Sequence, residues 1–501
     1  MDTLNALYFG FHQALQIHNL LWCFVGALLG TLVGILPGLG PAATVAILLP
    51  FTAGLEPVTA LIMLAGIYYG AQYGGSTTAI LINLPGEASS VVTAIDGYKM
   101  ARLGRAGVAL TTAALGSFFA GTVATFLLAF TAPILAELGL LFGPTEYFSL
   151  MVLGLLASII LARGSVPKAI SMVLLGVLIG CVGQDVQTAM PRFMFGFEDL
   201  GGGIDFVVVA MGLFGIGEII KDLDHLEHRT AIKTSFASLI PSRQDFKRMQ
   251  MPVLRGTFIG SLLGLLPGSG ALLSGFAAYA AEKRISNPPE GFGNGAIEGV
   301  AAPESANNAA AQTSFVPLLT LGLPTSAVMA LMVGALVMHG IAPGPTLISD
   351  HPQIFWGVIA SMWVGNLILL ILNLPLIGIW TKLLSIPFQY LFPAILVFCA
   401  IGAVSLSNST FDIWLLAFFS IAGYIFVKLD CEVAPLILGL VLGPMLEENF
   451  RRAMSIGRGN AMIFVERPLS AALLIIAVLA LISMLIPKWR KVREEAFVEQ
   501  E

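Results

Sequence analysis

The sequence predicts an all-α polytopic membrane protein of roughly ten to twelve spans, built from two homologous halves that contain discontinuous helices or re-entrant hairpins. Three observations predict it. Hydrophobic residues make up 57% of the chain and charged residues 11%, where a soluble domain carries about 25% charge. Apolar runs such as Leu20–Leu36, Ala106–Phe130, Ile204–Ile220, Ile354–Ile379 and Ser470–Ile486 include several able to cross about 30 Å of hydrocarbon. Gly30-Thr-Leu-Val-Gly34-Ile-Leu-Pro37-Gly38-Leu-Gly40 recurs as Gly260-Ser-Leu-Leu-Gly264-Leu-Leu-Pro267-Gly268-Ser-Gly270, at an offset of 230 positions that also matches Gly26 with Gly256.

Residues 1–19 read as a short interfacial helix with Phe9 and Phe11 on its apolar face. No basic region precedes the first apolar run, so a cleaved secretory signal is not expected. The first span runs into Pro37-Gly38, where proline removes an amide donor and glycine frees the backbone from helical angles. The helix is expected to stop there, and Ala42–Phe51 to form a half-span. Tyr68 to Glu87 is the densest polar stretch within apolar surroundings and reads as another broken helix. Its small residues permit close backbone approach, and its hydroxyls and amides offer ligands without a buried charge. A charged edge from Asp96 to Arg105 precedes the spans near 106–136, 146–182 and 204–220.

These elements define a first repeat, 1–220, a basic linker, 221–251, a second repeat, 252–450, and a final helix with a charged tail, 451–501. Leu323-Pro324 answers Leu84-Pro85, and Pro387–Tyr390 answers Pro144–Tyr147. No Lys or Arg precedes Lys99, and the largest basic cluster lies between Lys221 and Arg255. By the positive-inside rule that linker and the Lys488–Arg493 tail are cytoplasmic and the N-terminus lies outside. The first half then crosses an odd number of times, which favours inverted repeats, although Arg451, Arg452, Arg458 and Arg467 would sit outside. The four cysteines lack metal-ligand spacing and read as packing residues, and a net charge of −5 says nothing about nucleic acid.

The doubled Gly-x-x-x-Gly-x-x-Pro-Gly-x-Gly motif, Leu84-Pro85-Gly86-Glu87 ahead of Asp96-Gly97-Tyr98, and Gly299-Val-Ala-Ala-Pro303-Glu304-Ser305-Ala-Asn307-Asn308-Ala resemble the large membrane subunit of the tripartite tricarboxylate transporter family. Lys99 stands where related sequences often have proline. The resemblance implies an inner-membrane protein of bacteria that works with a small membrane subunit and a periplasmic substrate-binding protein, importing a di- or tricarboxylate by sodium- or proton-coupled symport. It implies no cofactor. No Gly-x-x-x-x-Gly-Lys-Ser/Thr motif is present, so no ATP site is expected.

Moving a trianion inward against about 100 mV, inside negative, costs roughly 7 kcal/mol, which cation symport must offset. Helix ends freed at the breaks can offer amides to carboxylates and carbonyls to cations. The candidate substrate-binding residues are Pro37, Gly38, Gly40, Ser76, Thr77, Thr78, Asn83, Pro85, Gly86, Pro267, Gly268, Gly270, Asn307, Asn308, Pro324, Thr325 and Ser326. Glu87, Asp96 and Glu304 are candidates for cation coupling, with sodium near Ser76, Thr77, Asn307 and Thr325. The plainer readings are close helix packing for the glycines, ordinary interhelical hydrogen bonds for the polar set, and helix caps or loop edges for the acids. His339 and His351 read as loop residues. An intramembrane protease or lipid-modifying enzyme would need a nucleophile with its base, or metal ligands, and the His-Glu-x-x-His and Gly-x-Ser-x-Gly motifs are absent; no enzymatic activity is expected. A passive anion channel is the other alternative.

Overall fold

The computed structural model describes residues 3–36, 40–84, 86–162, 165–185, 188–217, 220, 236–266, 270–383, 391–407 and 409–485. Pro37, Gly38, Pro85, Pro267, Gly268, the basic residues from Lys221 to Lys233, the Pro387–Tyr390 match and the Lys488–Arg493 tail lie outside the described residues. The described part is overwhelmingly helical, with a single two-residue antiparallel pair, Gly183–Gln184 on Pro191–Arg192. Four of its helical stretches, Ile17–Ile35, Ala88–Gly139, Pro352–Asn373 and Phe411–Lys428, are long and apolar enough to cross a membrane, and seven shorter apolar helices accompany them.

Helix α1 (Thr3–Ala14) lays Gly10 against the backbone of Trp356 and stacks Phe11 on Trp363. Helix α2 (Ile17–Ile35) ends as Leu36 turns extended, at φ −85° and ψ 107°. Helix α3 (Pro41–Thr52) begins with proline in its first turn, where the missing amide would have had no helical partner. Helix α4 (Pro57–Ile82) follows. A Cβ added to Gly26, Gly30 or Gly34 would lie 2.2, 2.4 or 2.4 Å from the carbonyl oxygens of Met63, Ile67 and Ala71. Both series advance by four residues, so α2 and α4 run in parallel with their backbones touching. Helix α3 lies between them in sequence and packs on both. It returns towards the start of α2, and the pair forms a hairpin beside α4.

The polar stretch breaks its helix only near its end. Tyr68 to Thr78 sit within the uninterrupted α4, because no proline occurs before Pro85 and every side chain there is buried by neighbouring helices. The interruption comes after Ile82. Asn83 caps the helix in the left-handed region at φ 58°, and the chain folds back so that a Cβ on Gly86 would fall 1.8 Å from the Gly34 carbonyl oxygen. The Ala88–Ser90 turn, α5 (Val91–Met100), a wide turn over 101–105 and the long α6 (Ala106–Gly139) come next. Helices α7 (Pro144–Leu161), α8 (Val166–Gly180) and α9 (Phe206–Ala210, continued by a wide turn to Ile216) end this part of the chain.

The order then recurs. Helix α10 (Arg243–Gly264) and α11 (Gly270–Ile285) precede α12 (Glu298–Thr313) and α13 (Phe315–Leu321). A Cβ on Gly256, Gly260 or Gly264 would lie 2.2, 2.1 or 2.5 Å from the carbonyl oxygens of Ala302, Ala306 and Ala310. Gly322 caps α13 at φ 70°, as Asn83 caps α4. Helices α14 (Ala327–Met338), α15 (Pro352–Asn373), α16 (Leu391–Ser407), α17 (Phe411–Lys428) and α18 (Ala434–Ile456) follow, and α19 (Pro468–Leu485) comes last.

Contacts between the two parts come in exchanged pairs. Helix α6 packs on α12 and α15 on α4; α8 packs on α18 and α17 on the 206–216 segment; α3 packs on α14 and α11 on the Ala88–Ser90 turn. The order of contacts gives directions. Gly116 meets Ala301 and Ser305, and Ala120 and Ala124 cluster with Ala309, so α6 and α12 run together. Gly357 meets Val58, Gly365 meets Tyr69 and Asn366 meets Tyr73, so α15 and α4 run together. Trp363 stacks near Phe126 while Asn366 donates to the Phe118 carbonyl at 2.8 Å, so α15 runs against α6.

Charge gathers at two places. Arg105 pairs with Asp245 at 2.5 Å, Arg248 holds Glu290 at 2.7 Å and Glu298 at 2.8 Å, and Arg255 holds Glu282 at 2.7 Å. The two-pronged hydrogen bonding from Arg248 keeps the Glu290 carboxyl below its ordinary range. Elsewhere Asp185 bridges Arg192 at 3.2 Å and Arg451 at 2.9 Å.

Candidate functional site

The α12 sequence places Glu304, Asn307 and Asn308 within one turn, and the packing of α6 and α4 around that turn buries all three. Glu304 is completely buried. Ser76 of α4 donates to its Oε2 at 2.6 Å, Thr93 of α5 donates to Oε1, and Ser117 of α6 lies 3.5 Å from Oε2. Asn308 donates through Nδ2 to Ser117 Oγ and to Asn307 Oδ1, both at 2.7 Å. Asn307 reaches Ser89, which donates to Gln72 Oε1 at 2.7 Å and to Glu87. Tyr73 donates to Asn366 Oδ1 of α15 at 2.7 Å. One polar network therefore joins α4, α5, α6, α12 and the turn after α4, with the Tyr73–Asn366 pair beside it. Among the described residues, every ion pair involves acids other than Glu87 and Glu304. An isolated carboxylate in hydrocarbon is expensive unless a proton or a cation neutralises it.

A small cavity adjoins Glu304. Its polar wall is Tyr73, Ser76, Thr77, Ser117, Glu304 and Asn373, and Leu110, Ala113, Ala114 and Leu374 complete it. Space for the centre of a water-sized sphere amounts to about 10 Å³, which suits one water or one ion. A tricarboxylate does not fit. Asn373 is 5% exposed, and its Nδ2 donates to the Leu369 carbonyl at 2.9 Å, but its Oδ1 has no partner among the described residues. A buried acceptor left unpaired costs roughly 1–3 kcal/mol.

The other candidates fall into separate groups. Thr77 and Thr78 bond to carbonyls of their own helix, at Tyr73 and Gly75. Asn83 and Ser326 sit at helix ends, Ser326 accepting from the Met329 amide at 3.3 Å. Thr325 is buried with no partner for its hydroxyl among the described residues, and Pro324 lies in the extended stretch just before it. Gly86 packs on Gly34, whereas an added Cβ on Gly40 or Gly270 would have no atom of the described residues within 4 Å. Asp96 stands apart from the Glu304 network. Its Oδ1 accepts the amides of Gly293, Gly295 and Ala296, each at 2.9 Å, and its Oδ2 accepts the Tyr279 hydroxyl at 2.9 Å. The carboxylate thereby ties α5 to the loop before α12. Ser89, Thr93, Ser117, Asn366 and Asn373 were not foreseen; they lie outside the polar stretches 68–87 and 298–326, and only folding brings them together.

The model of the tripartite tricarboxylate transporter TctA family matches residues 20–438. The chain belongs to the tripartite tricarboxylate transporter TctA family. That match runs from the first interrupted hairpin into α18, so it takes in the whole polar network. The chain is 58% identical over 501 residues, all of both chains, to an uncharacterized 52.8 kDa protein in the TAR-I ttuC' 3' region of Agrobacterium vitis. It is 56% identical over 242 residues, 48% of this chain and all of the other, to an uncharacterized protein in the TAR-II ttuC' 3' region of the same organism. No solved structure matches the chain. Membership identifies a multi-pass component of a tripartite tricarboxylate transporter, and TctA proteins belong to assemblies with a small membrane subunit and a periplasmic binding subunit.

Proposed function

We propose that this chain is the permease subunit of a secondary importer in a bacterial inner membrane. It takes a di- or tricarboxylate delivered by a periplasmic binding protein, works beside a small membrane subunit, and couples uptake to entry of sodium or protons. The observation that carries the coupling is Glu304: a fully buried acid ringed by hydroxyls and amides, with no basic partner among the described residues. A neutralising cation would be carried with the substrate in such a site. The cavity beside Glu304 accepts an ion and not a carboxylate. The carboxylate would instead meet the starts of α3 and α11, where an added Cβ on Gly40 or Gly270 would have no described atom within 4 Å.

The repeats are read as inverted. Helix α4 runs with α15, α15 runs against α6, and α6 runs with α12, so the two hairpins would enter from opposite sides of the membrane. The exchanged contacts between halves support the same reading. Uptake of labelled carboxylates into proteoliposomes holding the permease and its small subunit, with binding protein outside, tests it. Glu304→Gln is expected to reduce gradient-driven accumulation at least tenfold while leaving exchange of internal for external substrate in place. Accumulation by Glu304→Gln equal to wild type would overturn the coupling role.

A further inference from the structure

Resting on that reading of Glu304, we infer that the adjoining cavity is a site for one dehydrated monovalent metal cation and that Asn373 Oδ1 is one of its ligands. The first observation is the unpartnered oxygen. Asn373 spends its amide on Leu369, one turn back in its own helix, and leaves its carbonyl oxygen buried in a wall shared with Glu304. The second is the hydroxyl chemistry around the space. Ser76, whose proton rests on Glu304 Oε2, can turn it to the Gln72 carbonyl at 3.0 Å, while Thr77 and Ser117 have the backbone carbonyls of Tyr73 and Glu304, each at 3.4 Å, to receive theirs. With the protons so placed, the hydroxyl lone pairs are free for the cavity.

Carboxylate, hydroxyl and amide oxygens are hard ligands that suit a hard cation. The wall itself carries one acid, Glu304, so a single positive charge matches it, whereas a divalent ion would also need Glu87, which does not line the cavity. The volume leaves no room for a hydration shell. A site for a proton alone would need neither the space nor the orphaned oxygen.

The purified full-length chain, melted in detergent at fixed ionic strength while sodium chloride replaces choline chloride, tests the assignment. Wild type is expected to gain melting temperature with sodium, in a saturable way. Asn373→Leu removes the orphaned acceptor, so it is expected to melt no lower than wild type without sodium, yet to need at least tenfold more sodium for the half-maximal gain. Thr77→Val gives the same test if Asn373→Leu yields no folded protein. A wild type indifferent to sodium, or an Asn373→Leu (in its place, Thr77→Val) response at wild-type concentrations, overturns the site. Normal accumulation by Glu304→Gln overturns the coupling reading instead, so the two failures are distinguishable.

Discussion

At the residue scale, burial alone does not separate acids that carry charge from acids that hold the fold. Asp96 and Glu304 are both completely buried. Glu304 is surrounded by side-chain hydroxyls that can turn away, whereas Asp96 is held by three backbone amides and a tyrosine, donors with no alternative in a buried loop. Asp96→Asn sets an amide group against those donors and is expected to destabilise the protein by about 2 kcal/mol. It should also speed limited proteolysis within the loop that ends at Glu298. The cation concentration for half-maximal uptake should stay at the wild-type value. Tyr279→Phe, which loses one bond, should show a weaker form of the same effect. Loss of cation dependence at unchanged stability would instead place Asp96 on the ion path. The sequence alone made Asp96, Glu87 and Glu304 equal candidates, because what distinguishes them is the set of donors brought from residues up to about two hundred positions away.

At the element scale, the repeated glycines were legible both as helix interruptions and as packing surfaces, and the structure separates the two meanings by position. Gly26, Gly30 and Gly34, with Gly256, Gly260 and Gly264, are contact surfaces where backbones touch. Gly40 and Gly270, past the ends of α2 and α10, have no described atom within 4 Å of an added Cβ. Gly260→Ala puts a methyl group 2.1 Å from the Ala306 oxygen and drives α10 off α12; a loss of at least 1–3 kcal/mol is expected, read as a lower melting temperature and poor recovery in detergent. Gly40→Ala, at φ −72° and ψ 166° with no described atom within 4 Å of the new Cβ, should keep wild-type melting. If Gly40→Ala nevertheless weakens uptake, the hairpin tip touches substrate. Equal melting of both variants would refute the packing assignment. The break in the polar run was legible but not its position, for a related reason: glycines and hydroxyls that suggest a break in isolation are compatible with an unbroken helix as far as Ile82 once neighbours bury every face.

At the scale of the whole molecule, the proposed opposition of the two halves rests on which ends share partners. The fold class was readable because composition and apolar length are one-dimensional quantities. Orientation was harder, since four arginines from Arg451 to Arg467 counted against an outside location. Two of them are already neutralised: Arg451 bridges Asp185 and Glu447, and Arg452 pairs with Glu448. The Arg105, Arg248 and Arg255 cluster lies at the start of α10, beside the loop ahead of α12. With opposed hairpins, the turn between α3 and α4 and the loop between α11 and α12 must face opposite compartments. Ala53 and Asn287 are exposed in those two places. Single cysteines at these positions, in a chain whose Cys181 and Cys431 are changed to serine, are expected to react differently with a membrane-impermeant maleimide applied to intact cells. Ala53→Cys should label from outside, and Asn287→Cys only after the membrane is opened. Labelling of both from one side would make the halves parallel, and the exchanged contacts would then have to arise about an axis along the membrane normal.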